Sequence, residues 1–203
     1  MSSHLDPDRR ELVTHLFDKA VADLQLALAK LDDGHEQALA DLAAAVHESW
    51  RAGGKLLICG NGGSAADSQH IAAELVGRFL ADRPGYPAIA LTTNTSVLTA
   101  VGNDYGFESI FARQVQALGR PGDVLLVIST SGNSANCIEA VAAARELKLH
   151  VHGFLGCDGG ALLPLVDSAL VAPSHQTPKI QELHITMGHL LCMVLEQWMA
   201  GDA

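Results

Sequence analysis

The stretch VLLVISTSGNSANCIEA, residues 124–140, runs from an unbroken apolar segment straight into a cluster of hydroxyl side chains. Val124 to Ile128 contains no polar residue, as a strand buried on both faces of a parallel sheet requires. Ser129, Thr130, Ser131 and Ser134 then share six residues with Gly132 and Asn133, and a helical segment, Ser134 to Leu147, follows. Strand, loop and helix in that order make a βα unit, and parallel α/β sheets place ligands at the carboxyl ends of their strands. A helix N-terminus adds unpaired N–H groups and the positive end of the dipole. One serine would be explained as a helix cap. Four hydroxyls exceed that need, so the loop is expected to hold a phosphate.

Outward from this unit the same alternation repeats. Leu56 to Cys59, Ala88 to Leu91, Val151 to Leu155 and Ala169 to Val171 are further strand candidates, the fourth strand being the least regular because of His152 and Gly153. Helical stretches lie at Ala66 to Leu80, Ser96 to Val101 and Phe107 to Leu118, with a short turn near Gly159 and a long apolar helix from Lys179 to Met199. The succession predicts an α/β fold, a three-layer α/β/α sandwich on a mainly five-stranded parallel sheet. Residues 1–203 read as one domain, with 1–52 as a helical N-terminal extension. There, Leu12, Leu16, Ala20, Leu24, Leu28 and Leu31 recur every three or four residues within a helix from Leu5 to Leu31. A second helix, His35 to Ala52, ends at Gly53-Gly54. Two leading helices without a strand between them suit an oligomer-forming hairpin or a cover for the chain's own sheet.

Composition narrows the function. The 203 residues carry a formal net charge of -10, which disfavours nucleic-acid binding. No run of about twenty apolar residues is present, so no membrane partner is expected. The N-terminus lacks the pattern of a secretory signal, and a cytoplasmic protein is expected. Four cysteines, Cys59, Cys137, Cys157 and Cys192, are scattered without a CxxC pair. They predict neither a disulfide framework nor a cysteine zinc site.

A second glycine-rich strand end stands at LLICGNGGSAADSQH, residues 56–70. Gly60-x-Gly62-x-x-Ala65 satisfies the loose dinucleotide fingerprint, which demands an acid at the end of the next strand. That strand ends Ala90-Leu91-Thr92-Thr93-Asn94, with no acid, and no GK[ST] follows the glycines. Dinucleotide and nucleoside triphosphate sites are both disfavoured. On the following helix His70 and Glu74 are four residues apart and share a face. Gln176 and His184 flank the start of the last helix. Two histidines, a carboxylate and a carboxamide oxygen would suit a divalent metal such as zinc. Glu and His are also proton-transfer groups of isomerases. The bland alternatives are a solvated His–Glu pair and, for His184 or His189, a satisfied core histidine.

Taken together, CGNGGSAADSQHIAAEL, RPGYPAIAL, VGNDYGF, GDVLLVISTSGNSANCIEA and KIQELHI resemble the phosphoheptose isomerases of the sugar-isomerase (SIS) domain family, from about Asp41 to Trp198. The resemblance implies conversion of sedoheptulose 7-phosphate to glycero-manno-heptose 7-phosphate, opening the heptose route to glycoconjugates. It implies a homotetramer with active sites between subunits. By motif, Asn61, Gly62, Gly63 and Ser64, with Asn103, Asp104 and Gln176, would contact the sugar phosphate, and Ser129, Thr130, Ser131 and Ser134 would hold its phosphate. His70, Glu74, Gln176 and His184 fall on the metal positions, implying one zinc ion per site. Glu74 is the candidate base between C1 and C2, His184 the candidate acid, and Asp104 the group that orients a hydroxyl or assists ring opening. The Ser64-Ala65-Ala66-Asp67 segment varies in the family, some members having histidine where Ala65 stands. Two alternatives remain: a related SIS protein that binds the bacterial replication initiator, and an isomerase of different stereochemistry. Retention of Glu74 with both histidines favours an enzyme. Arg78, Arg83 and Lys179 are ambiguous nearby cations, and His4, His15, His35 and His47 are assigned no role.

Overall fold

The computed structural model describes residues 6–201; His4 and Leu5 lie outside them. Five parallel strands form one sheet: β1 (Leu56–Gly60), β2 (Ala88–Ala90), β3 (Val124–Ser129), β4 (His150–Gly156) and β5 (Ser168–Ala172), in the order β2-β1-β3-β4-β5. Successive strand residues point to opposite faces, and both faces are covered. Leu56, Ile58, Leu126, Ile128 and Phe154 pack with α2 (Asp33–Arg51), α3 (Gly63–Val76) and α7 (Thr177–Gly201). Leu57, Cys59, Leu125, Val127 and Val151 pack with α4 (Thr95–Tyr105), α5 (Ala112–Leu118) and α6 (Ala135–Glu146). This is the expected three-layer sandwich. All four cysteines are free thiols. Among the described residues no helix is long and apolar enough to cross a membrane.

The two leading helices behave differently. In α2, Leu42 and Val46 are buried against the sheet. His35 is half-buried, completes a capping box with Asp32, and its Nε2 lies 3.1 Å from the Val171 carbonyl oxygen, pinning the helix start to β5. It is a structural residue, not a bare surface histidine. In α1 (Pro7–Leu28) the expected apolar stripe faces outward instead: Leu12, Val13, Leu16 and Phe17 are all more than half exposed.

Three boundaries also differ from expectation. α3 begins at Gly63 and stops at Val76, giving residues 77–87 to a loop. α4 runs on to Tyr105 and so includes Asn103 and Asp104. The expected helix from Phe107 to Leu118 is a 3-10 turn, Phe107–Ser109, followed by the short α5, and Gly106 at φ +90° separates the turn from α4.

Candidate active site

The sheet order reverses between β1 and β3, so the chain leaves these neighbours in opposite directions. Open α/β sheets take ligands in the crevice at such a point. Here the walls are the loop after β1 and the loop after β3. Gly60 lets the first loop sit on β3, since an added Cβ would meet the Ile128 carbonyl oxygen at 2.8 Å. Gly62 caps α3 at φ +55°, a left-handed value glycine adopts without cost. Gly63 faces the Gln181 side chain, so α7 also reaches this loop. Ser64 is buried beneath it.

In the second loop Ser134 is the N-cap of α6 but makes no side-chain capping bond. Its Oγ instead lies 3.0 Å from Ser129 Oγ. Ser131 Oγ accepts the Asn133 N–H at 3.2 Å, and Thr130 is half-buried. Asn133 fixes the loop from outside: its Nδ2 donates to the Ser131 carbonyl oxygen (2.8 Å) and its Oδ1 accepts the Ala161 N–H (3.0 Å). Gly132, at φ +66°, abuts the Gly159 carbonyl. Asn133 thus holds much of the loop backbone, and capping does not account for Ser129 and Ser134, whose hydroxyls face each other.

The two loops are joined by a pair of which sequence reasoning finds only one member, Asn61. Asn61 and Asn136 exchange side-chain hydrogen bonds of 2.8 Å in both directions. Asn136 is buried at 2% exposure. Beside Asn61 opens a cavity of about 170 Å³ lined by Gly60, Gly62, Thr92 and Phe107. Asn103 and Asp104 stand exposed in the last turn of α4, linked by a 2.8 Å bond from Asn103 Nδ2 to Asp104 Oδ1.

The four expected metal residues divide into separate groups. His70 and Glu74 lie on the exposed side of α3, with Nε2 and Oε1 3.5 Å apart. His70 Nε2 is also 2.9 Å from Nε2 of half-buried His189 on α7. His189 is thus a neighbour of the site rather than a core histidine. Asp67, one turn earlier on α3, has a buried Oδ2 without a hydrogen-bond partner. Its burial raises the carboxyl pKa against the pull of His70 and His189.

His184 is fully buried, stacked on Phe154 and bonded through Nε2 to the Leu155 carbonyl oxygen at 2.8 Å. Burial lowers its pKa to about 4, so the ring is neutral at neutral pH with Nε2–H donating. Nδ1 is then a bare lone pair, and it is buried without a hydrogen-bond partner. In that state Nδ1 offers a lone pair, while the one ring proton is engaged by the Leu155 carbonyl oxygen. Gln176 is exposed at the start of α7, its Nε2 3.5 Å from Asp23 Oδ2, in a cavity of about 490 Å³ shared with Lys30, Cys157 and Ser174.

Among the described residues no group of three or more His, Cys, Asp or Glu side chains converges to hold a metal ion. The donor chemistry nevertheless suits zinc: two imidazoles, a carboxylate and a carboxamide oxygen, with the orphaned Nδ1 of His184 lacking a partner. Lys179 is not part of this set, being buried and bound to Glu182 at 2.9 and 3.0 Å.

Known proteins resemble this chain in sequence and fold. The SIS domain family model matches residues 21–156. The chain is 59% identical to a phosphoheptose isomerase of Rhodospirillum rubrum over 159 residues, which is 78% of this chain and 85% of the relative. Two solved structures share the fold closely. A phosphoheptose isomerase from Neisseria gonorrhoeae has a TM-score of 0.81 at 46% identity, covering 93% of this chain and 98% of that one. A phosphoheptose isomerase from Francisella tularensis has a TM-score of 0.84 at 39% identity, with the same coverage. The chain belongs to the SIS domain family, among its phosphoheptose isomerases.

Proposed function

We propose that this chain is an aldose–ketose isomerase that converts D-sedoheptulose 7-phosphate to D-glycero-D-manno-heptose 7-phosphate. The observation that carries the reading is the pairing of a glycine loop and a four-hydroxyl loop across one switch point, tied by Asn61 and Asn136. Ser129, Thr130, Ser131 and Ser134 hold the phosphate with the N-terminus of α6. The glycines of the first loop let the sugar approach the backbone. Glu74 removes the C1 proton, an enediol forms, and a proton returns at C2. Asn103, Asp104 and Gln176 orient the sugar hydroxyls.

His70, Glu74, Gln176 and His184 are the residues that would hold zinc. Bound zinc would supply Lewis-acid stabilisation of negative charge on the substrate oxygens. His184 serves through its unprotonated Nδ1, which fits a ligand or acceptor better than an acid.

That His70, Glu74 and His184 do not converge on one point among the described residues supports a site completed between copies of the chain. The outward apolar stripe of α1 supports the same assembly, a homotetramer, since such stripes on a folded protein mark contact surfaces. The pathway is heptose-precursor biosynthesis in the cytoplasm. Incubation with sedoheptulose 7-phosphate and zinc, with product identified by NMR, tests the reading. Formation of the manno-configured aldose phosphate supports it. No conversion would leave a sugar-phosphate-binding protein, and a different configuration at C2 would leave an isomerase of another product.

A further inference from the structure

The loop after α3 contains an ion pair that no part of the proton chemistry uses. Arg83 and Glu196 meet at 3.1 Å, with side chains only 7% and 10% exposed. Burying two charges is costly unless nearly every donor and acceptor is satisfied. Here the satisfaction has a definite target. Arg83 Nη2 donates to the carbonyl oxygen of Glu74 at 2.9 Å. Its Nη1 donates to the carbonyls of Leu75 (2.8 Å), Gly77 (3.3 Å) and Pro84 (3.1 Å). The last carbonyls of a helix lack partners within the helix and carry the negative end of its dipole. α3 has no basic residue in its own last turn, so Arg83 supplies that cation from outside the helix.

Glu196 completes the clamp from α7. Its Oε1 takes the Arg83 Nε–H, while Oε2 accepts the N–H groups of Leu80 (3.2 Å) and Ala81 (3.1 Å). Burial pushes the Glu196 carboxyl up, but those backbone donors and Arg83 outweigh it and hold it below the usual carboxylate range. Arg83 also lies over the Tyr86 ring at 4.0 Å, and Tyr86 packs on Trp50 at 4.9 Å. The guanidinium is thereby held in its plane by hydrogen bonds and against one face by the Tyr86 ring.

We propose that Arg83, locked by Glu196, is a positioning residue that sets the last turn of α3 and with it the reach of the Glu74 carboxylate. The proposal rests on the reading of Glu74 as the proton-transfer group. Arginine is required because one planar fork spans several carbonyls, whereas lysine offers a single point charge. Proton abstraction is sensitive to displacement, about 1 Å costing on the order of a hundredfold. The clamp's hydrogen bonds fall at the C-terminal end of α3, whereas the glycine loop forms its N-terminal end.

Steady-state kinetics of the full-length Arg83→Lys, Glu196→Gln and Glu74→Gln variants, with zinc supplied and well below each variant's Tm, tests this. The expected result for Arg83→Lys is a kcat lower by about ten- to a hundredfold, with the KM for the sugar phosphate within about threefold of wild type. Glu196→Gln keeps the carboxamide oxygen as acceptor and should fall between Arg83→Lys and wild type. A lowered Tm with kcat unchanged in Arg83→Lys would overturn the proposal, because a merely structural clamp predicts that outcome. A raised KM with unchanged kcat would overturn it as well. Glu74→Gln separates the two claims. Wild-type turnover in that variant removes the Glu74 reading and the proposal together. An inactive Glu74→Gln beside a fully active Arg83→Lys removes the positioning claim alone.

Discussion

Asn61 and Asn136 exchange two side-chain hydrogen bonds of 2.8 Å, joining the loop after β1 to the first turn of α6. The pair lies 75 positions apart in sequence and bridges the two walls of the crevice. Because both amides are satisfied by each other, the loops are held before any ligand arrives. Asn136→Leu would leave the Asn61 amide without its partner. A loss of about 1–3 kcal/mol in unfolding free energy is expected. KM for the sugar phosphate should rise several-fold, and denaturant unfolding with steady-state kinetics checks both.

Ser134 separates phosphate binding from helix capping. A capping serine replaced by alanine costs about 1 kcal/mol. Ser134 makes no capping bond, its Oγ facing Ser129 instead. Ser134→Ala is therefore expected to change stability by less than about 0.5 kcal/mol while raising KM roughly tenfold, the loss of one hydrogen bond to a charged group. A full capping cost with unchanged KM would return the loop to an ordinary turn.

His184 gives the metal-free chain a definite acid response. Its pKa is about 4 folded against 6.5 for the free side chain. On acidification the unfolded chain takes the proton first. The stabilising contribution is thus complete above pH 6.5 and is lost as pH falls toward 4. The full effect is roughly 3 kcal/mol. His152, buried beside Ser168, is shifted in the same direction, burial outweighing the nearby Asp167. Denaturant unfolding of chelator-treated protein between about pH 7 and 4.5 should show this slope. His184→Leu should flatten it, and an unchanged slope would count against the buried neutral imidazole.

Much of this architecture is visible in the chain itself. Val124 to Ile128 and Leu56 to Cys59 are apolar at every position because both sheet faces are covered, a pattern that neither an amphipathic helix nor a half-exposed strand produces. The hydroxyl loop is equally plain. The start of α3 lies three residues ahead of the expected Ala66, because the glycine loop is itself the first helical turn, with Gly62 at positive φ as its cap. The contact between His70 and His189 spans 119 residues and follows from helix packing. Gly188 lets α7 lie close against Ile71, which brings the next residue to His70. Nothing in local spacing encodes that approach. Periodicity likewise shows that α1 has an apolar face but not that the face points away from its own sheet.

In the proposed reaction Glu74 carries the proton between C1 and C2. Turnover of sedoheptulose 7-phosphate by Glu74→Gln, followed by NMR with zinc supplied, tests it most directly. Conversion is expected to fall by at least about a thousandfold, while sugar-phosphate binding stays within a few-fold of wild type. Conversion by Glu74→Gln at the wild-type rate would contradict it.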